Sequence, residues 1–386
     1  MDKWLRIALG MFIIAFGANS YAPMLLAYKM EAGLSESTVT FLLAAYILGL
    51  VPALLIGGKL SDRVGRRALM RPALVISALS SLIILAGGFG HTWLIGLGRF
   101  IGGIAIGFVM SSGAAWLREI SDAPAAVSAK RATLASTGGF SGGPLVAGLL
   151  AQFAPFPLIL PWAFHAIATV IVAFLVWNLP EVPVAGTIKG RMLPSIAFSS
   201  RFLWSVAAWA PWVFGCASTA FAILVSLTNQ HFEHKIAYAG VIACVTMAIG
   251  MLVQPIVPRL GKGFVPPAVI GMGFAFLGMV FSYIIVRTDN PMWVAPAVLC
   301  LGTAYGIMMV SGLREVQLMA PAHELGSLIG IYYSMTYLGF FVPFVVSLFA
   351  PRFGYDTVFL IGMAVIALSV YPVTRVIRKY APETES

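Results

Sequence analysis

Along the chain, long apolar runs alternate with short polar breaks, and twelve of those runs are long enough to cross a lipid bilayer as a helix. The first six fall near 5–28, 37–58, 69–90, 92–117, 133–153 and 158–179. The other six fall near 203–228, 238–258, 264–286, 292–317, 326–350 and 356–377. Between the two sets lies a more polar stretch, Pro180 to Arg201, which carries Glu181, Lys189 and Arg191 and reads as a linker. The first run follows Lys3 and Arg6, as the apolar region of a signal peptide would. It is too long for one, and is expected to stay as the first helix.

Composition makes lipid the solvent. Of 386 residues, 60% are apolar and only 10% charged, and mean hydropathy is +0.94. A water-facing domain carries about 25% charged residues, so no large soluble domain fits. The net charge of +10 would suit nucleic acid if the basic residues formed one polar face, but they sit at the ends of apolar runs instead. With both termini placed in the cytoplasm, nineteen of the 24 Lys and Arg residues fall on the inner side. Only Lys29, Lys235, Arg287 and Arg352 fall outside, and Arg99 lies within the fourth run. This positive-inside bias predicts a multi-pass protein of the cell inner (plasma) membrane with both termini cytoplasmic. Cys216, Cys244 and Cys300 all lie in apolar runs, so buried small hydrophobes are expected rather than disulfides.

The two sets of runs repeat one another. Arg63, Gly65 and Arg66 in DRVGRR (62–67) match Arg259, Gly261 and Lys262 in PRLGKG (258–263) at a shift of 196. The same shift carries Leu117-Arg118-Glu119 onto Leu313-Arg314-Glu315. Gly139-Phe140 ahead of Pro144 recurs as Gly339-Phe340 ahead of Pro343, and FGANS (16–20) faces FGCAS (214–218). Four matches in one order indicate a duplicated six-helix unit, a transporter signature that places a solute site between the repeats near the bilayer midplane. The expected architecture is an all-α membrane protein of twelve transmembrane helices in two pseudo-symmetric six-helix bundles. The bundles would be 1–180 and 202–386, joined by a cytoplasmic linker at 181–201.

Three motifs carry a family resemblance. GKLSDRVGRRALM (58–70) resembles the loop 2–3 signature of the major facilitator superfamily, G-x-L-[AS]-D-R-x-G-R-[RK], at Gly58, Leu60, Asp62, Arg63, Gly65, Arg66 and Arg67. IGLGRFIGGIAIG (95–107) is similar to the family's helix 4 pattern, with Arg99 and Gly103 in place. GFSGGPLVAG (139–148) resembles its helix 5 antiporter pattern at Gly139, Gly143, Pro144 and Gly148, with Ala147 replacing one glycine. The resemblance implies the major facilitator fold. It implies that Asp62 approaches the start of the eleventh helix, near Leu325 to Ser327, and latches an outward-open state, with Gly58 permitting the approach. It also implies that Arg99 faces a central cavity and serves proton coupling.

The residues bear other readings beside these. Lys59, Arg63, Arg66, Arg67 and Arg71 surround Asp62 and suffice as a topology anchor, but Asp62 itself needs a partner, either an arginine or a helix N-terminus. Glu119 and Glu315 lie level with Arg66 and Arg259, where ion pairs would lock a cytoplasmic gate; proton carriage is the rival role. Arg99 costs roughly 2.5–3.5 kcal/mol to insert, so it must face a cavity or a partner, or snorkel to the outer surface. His165 titrates in a range that suits a proton relay, though a buried histidine that is simply hydrogen-bonded looks the same in sequence. Gly138, Gly139, Gly142, Gly143 and Gly148 give a smooth packing face, and Pro144 bends the helix.

Candidate cavity residues are Asn19, Tyr21, Ser136, Gln254, Tyr305, Tyr333 and Tyr337, each equally readable as helix packing. The chain lacks a phosphate-binding GxxxxGK[ST], HExxH and CxxC, and has no paired intramembrane carboxylates. No enzyme activity, metal or cofactor is expected; the energy source would be a proton gradient. The expected partners are a small-molecule substrate and the bilayer, with no nucleic acid and a monomeric protein. The helix 5 motif favours alternating-access export of a small lipophilic drug or metabolite by proton antiport. The alternative is a proton symporter or facilitator importing a small, possibly anionic metabolite. A third class, a non-transporting receptor or lipid scramblase, would show no solute flux in purified vesicles.

Overall fold

A backbone in hydrocarbon must bond within its own segment, and the apolar runs lack the alternation of barrel strands, so helices are the outcome. The computed structural model describes residues 1–181, 193–260, 265–321 and 324–380, apart from the side chains of Asp62, Ala125 and Ala126. The described residues include twelve helices of spanning length. The first six are α1 (Lys3–Ala32), α2 (Glu36–Ser61), α3 (Arg67–Gly87), α4 (Thr92–Ile120), α5 (Val127–Phe153) and α6 (Leu160–Trp177). The rest are α7 (Ser200–His231), α8 (Lys235–Leu260), α9 (Pro267–Thr288), α10 (Pro291–Met319), α11 (Leu325–Phe353) and α12 (Tyr355–Lys379). Every expected span is present. Lys189, Arg191 and Lys262 lie outside the described residues.

Prolines set most of the local departures from ideal helix. Pro23 cannot donate to the Asn19 carbonyl, and α1 is interrupted at Ser20, between Lys3–Asn19 and Tyr21–Ala32. α8 tightens to a 3₁₀ turn over Gln254–Ile256, around Pro255, and α11 does so over Leu338–Phe341, directly before Pro343. α7 carries two π turns, Leu203–Ala207 and Thr219–Leu224. α5 runs through Pro144 without a break.

The chain packs as two compact units, one of α1 to α6 with residues 229–247, the other of the remaining parts of α7 and α8 with α9 to α12. Small residues set the closest approaches in each, as expected where lipid removes the hydrophobic drive between helices. In the first unit α2 meets α4: a Cβ on Gly103 would run into the Tyr46 carbonyl, and one on Gly107 would lie 2.8 Å from that of Leu50. In the second, a Cβ on Gly306 of α10 would run into the Gly250 carbonyl of α8. α10 thus meets α8 as α4 meets α2, through glycine against a carbonyl, although not at the positions the 196-residue shift equates. Trp116, Trp162 and Trp209 are fully buried, while Phe174 and Leu368 are 76% and 77% exposed, on faces only lipid can cover.

Candidate functional site

The helical path of α2 continues to Val64 and stops at Gly65, whose φ of +98° is open to glycine and strained for other residues. The two arginines that follow are divided between different partners. Arg66 donates from Nε to Glu119 Oε1 of α4 at 3.2 Å and from Nη1 to Ser61 Oγ at 2.6 Å. Arg67 turns to the chain leaving α6: its backbone N–H donates to Glu181 Oε1 at 3.3 Å and its Nη1 to the Leu179 carbonyl at 3.1 Å. Glu181 thus places a carboxylate at the first turn of α3, where the free N–H groups favour an anion. A Cβ on Gly65 would lie 2.7 Å from that carboxylate.

Gly65→Ala therefore meets strain and a clash together, and is expected to destabilise the protein by about 1–3 kcal/mol. Glu181→Gln, at a partly exposed site, should cost less than about 1 kcal/mol. Thermal unfolding in detergent measures both, and equal midpoints for wild type and Gly65→Ala would reject the account.

Other residues expected at the gate are less engaged. Arg63 is exposed, and a Cβ on Gly58 would meet no described atom within 4 Å. The Asp62 side chain lies outside the described residues, so its expected approach to the start of α11 does too. In the second unit the counterparts of Arg66 and Glu119 differ: Arg259 is exposed, Glu315 is half-buried, and neither makes an ion pair among the described residues. Arg259 sits in the turn Val257–Leu260 that follows the Pro255 break, without the regular helix end that presents Arg66.

Arg99 is 3% exposed and fully engaged. Its guanidinium donates to the Ala18 carbonyl of α1 at 2.9 Å and to the Leu42 and Leu43 carbonyls of α2 at 3.3 and 3.2 Å. The rings of Tyr21 and Tyr46 cover it, each with its centroid 4.6 Å from Cζ. A charge-assisted hydrogen bond contributes about 1.5–3 kcal/mol and a buried cation–π contact up to about 2. Together these outweigh the roughly 2.5–3.5 kcal/mol insertion cost. Arg99 neither snorkels nor stands open; it fastens α4 to α1 and α2.

His165 of α6 is likewise sealed, at 1% exposure. Nε2 lies 2.9 Å from the Ile13 carbonyl, which can only accept, so Nε2 carries the proton. Nδ1 lies 2.6 Å from Ser81 Oγ, a hydroxyl that donates to it in the neutral ring. Phe16 stacks on the ring at 6.0 Å, and Gly17 leaves the space that a Cβ would take from it. The imidazole ties α6 to α1 and α3 with both nitrogens satisfied. Glutamine offers one donor and one acceptor in a similar volume but takes up no proton. His165→Gln is thus expected to keep at least about half of wild-type transport. Loss of coupled transport with normal folding would reinstate a relay.

The glycine–proline pattern of α5 faces two helices. Cβ atoms on Gly139 and Gly143 would collide with the Phe12 and Phe16 carbonyls of α1. On the other side, a Cβ on Gly240 of α8 would lie 2.6 Å from the Pro144 carbonyl, and one on Gly148 2.9 Å from the Gly240 Cα. Pro144 has no N–H for the Phe140 carbonyl, and Asn19 Nδ2 supplies one at 2.7 Å.

Of the expected cavity residues, four are packed. Asn19 caps Phe140, and Tyr21 covers Arg99 while donating to the Val39 carbonyl at 3.3 Å. Tyr305 and Tyr337 close on Phe214 at 5.4 and 4.5 Å in a buried aromatic cluster of the second unit. Ser136, Gln254 and Tyr333 stay half-buried. Sequence reasoning passed over Glu181, Tyr46, Ser81 and Thr169, the last lying 3.2 Å from His165 Nε2 through its hydroxyl. Glu181 alone carried a signal, as the acid directly after the sixth span.

Comparison with known proteins agrees with this geometry. The sequence model of the Major Facilitator Superfamily matches residues 7–342. The chain is 29% identical over 145 residues to the quinolone resistance protein NorA of Staphylococcus aureus, a match spanning 36% of each chain. It is 30% identical over 172 residues to multidrug resistance protein 2 of Bacillus subtilis, spanning 42% of this chain and 41% of that one. The chain thus matches well under half the length of these relatives. Among solved structures, a D-xylose–proton symporter is similar across 99% of this chain at a TM-score of 0.69 and 17% identity. A POT family transporter in complex with 5-aminolevulinic acid is similar across 98% at 0.79 and 11%. Twelve spanning helices, an internal sequence repeat and a family match over most of the chain lead to one assignment: this chain belongs to the Major Facilitator Superfamily.

Proposed function

We propose that this transporter exports small lipophilic drugs or metabolites in exchange for protons, by alternating access, from a cell membrane with both of its own termini in the cytoplasm. The observation that carries the reading is the α5 face, where Gly139, Gly143, Pro144 and Gly148 press backbone against α1 and α8 as a close-packed seam. That is the pattern the antiporter resemblance implies, and the partial similarity to two drug resistance proteins points the same way. No carboxylate lies in the interior of a span to carry the proton, so the coupling candidates are Arg99 and His165 within the spans, with Asp62 and Glu119 nearer the surface as the other route. The two within the spans are both buried and bonded, His165 to a carbonyl and a hydroxyl and Arg99 to three carbonyls, and Arg99 alone matches the helix 4 pattern to which the resemblance assigns coupling. Import of an anion with Arg99 as counter-charge has less support, because its guanidinium is committed to three carbonyls.

The test uses proteoliposomes with an acid lumen. Addition of a fluorescent quinolone should drive drug inward and alkalinise the lumen, as exchange requires. Further acidification on drug uptake would indicate symport instead, and drug movement unaffected by the gradient would indicate facilitation.

A further inference from the structure

We propose that Asn19 and Ser218 are matched positioning residues, each supplying from α1 or α7 a hydrogen bond to the very carbonyl that a proline has deprived of its helical donor in α5 or α11. The proline at 144 removes the N–H that would pair with the carbonyl at 140, and Asn19 Nδ2 donates there at 2.7 Å. The proline at 343 removes the N–H that would pair with the carbonyl at 339, and Ser218 Oγ donates there at 3.1 Å. Asn19 is the fourth residue of FGANS and Ser218 the fifth of FGCAS, while the acceptors are the second residue of Gly139-Phe140 and the first of Gly339-Phe340, so the two contacts fall in the same repeated segments one position apart. Each contact is made possible by a glycine at the crossing: Gly139 against the Phe12 carbonyl, and Gly339 against the backbone of Pro211 and Gly215. Two sequence repeats thus converge on one device, built twice with different side chains.

The physical reason is accounting of backbone groups. A buried amide carbonyl left without a donor is costly, and in hydrocarbon no water can repair it. The bond that repairs it joins two helices and belongs to neither helical ladder. It can open and re-form without unwinding either helix, so it holds the proline turn in place while leaving the crossing free to slide.

The two copies are not equal. Gly339 also accepts from the Val342 N–H, because α11 tightens to a 3₁₀ turn there, and Ser218 Oγ is shared with the Gly215 carbonyl at 3.2 Å. α5 has no such tightening. Asn19 should therefore matter more than Ser218.

A double-mutant cycle decides the matter, because restoring the missing N–H should make the side chain dispensable. Asn19→Ala alone should lower the thermal midpoint of the full-length protein in detergent by about 2–6 °C. In the Pro144→Ala background, where the backbone N–H regained at position 144 can pair with the Phe140 carbonyl, the same change should move it by less than about 1 °C. Ser218→Ala should cost less, with the same relief from Pro343→Ala. If alanine leaves a cavity that blocks expression, Asn19→Leu keeps the volume without the donor and enters the same cycle. In proteoliposomes Asn19→Ala should lower the maximal rate of quinolone transport at least threefold with KM within about twofold, and Pro144→Ala should restore part of that loss. Additive midpoints in the cycle would overturn the proposal, as would a raised KM that Pro144→Ala does not relieve, which would mark a substrate contact. The rate measurement rests on the export reading above, but the thermal cycle does not. A wild-type protein that moves no quinolone would sink that reading and leave this one to be judged by its midpoints.

Discussion

Replacing Arg99 with alanine should leave a protein that inserts and folds but carries less than about one-hundredth of the wild-type proton-driven flux, a loss equivalent to about 2.7 kcal/mol. The folding side follows from the acceptors. Leu42 and Leu43 lie inside a helix whose own N–H groups continue to serve them, so removing the guanidinium orphans neither; only Ala18, at the break of α1, loses a donor the helix does not replace. It also relieves the protein of a charge that hydrocarbon disfavours. The functional side follows from what is lost: the cation inside the fourth span, and a side chain that fastens α4 to both α1 and α2. Arg99→Lys is the informative companion. An ammonium on a flexible stem cannot lie flat between Tyr21 and Tyr46 while reaching carbonyls on two helices, so it should recover less than about one-tenth of the flux. Flux under an imposed pH gradient, set against the yield of monodisperse protein, separates the two effects. Alanine-variant flux within threefold of wild type would remove Arg99 from the coupling machinery.

Much of this architecture could be read from the chain before its coordinates, and the reason is lipid. With water excluded, a twenty-residue apolar run has only the helix available, so span number and order follow from hydropathy. Local motifs were also readable, because Gly65 and the Arg66–Glu119 pair depend on short segments at helix ends. Partner choice across helices was not. Asn19, Tyr21, Tyr305 and Tyr337 were expected to line a cavity, since polar and aromatic residues in an apolar span invite that reading. In the fold a carbonyl, a cation and an aromatic cluster claim them. Sequence alone says that Pro144 orphans the Phe140 carbonyl; only the crossing of α1 and α5 says that Asn19 is the side chain that reaches it. The second-half pair Arg259 and Glu315 shows the limit of reasoning by repeat. The duplicated residues are present, but the Pro255 turn reshapes the end of α8 that should present Arg259.

Within the α5 motif, neighbouring glycines should respond in opposite ways to the same one-carbon change. Gly143→Ala would place a methyl group into the Phe16 carbonyl, and Gly139→Ala one into that of Phe12. Backbone cannot rotate away as a side chain can, so α1 and α5 must separate, at a cost of about 1–3 kcal/mol each, and more for the pair. Separation would also stretch the 2.7 Å bond from Asn19 to Phe140, coupling the packing loss to a polar one. Gly142 lies one residue away on a different face, and a Cβ there would meet only Phe12 Cζ at 3.8 Å and Phe16 Cδ2 at 4.0 Å. Those are ordinary contacts, and alanine's better helix propensity adds a small gain. Gly142→Ala should therefore fall within about 0.5 kcal/mol of wild type. Unfolding midpoints of the three single variants in one detergent measure the contrast directly. Similar losses at positions 142 and 143 would mean that the motif needs flexible glycine throughout, and not a close crossing of α1 on one face.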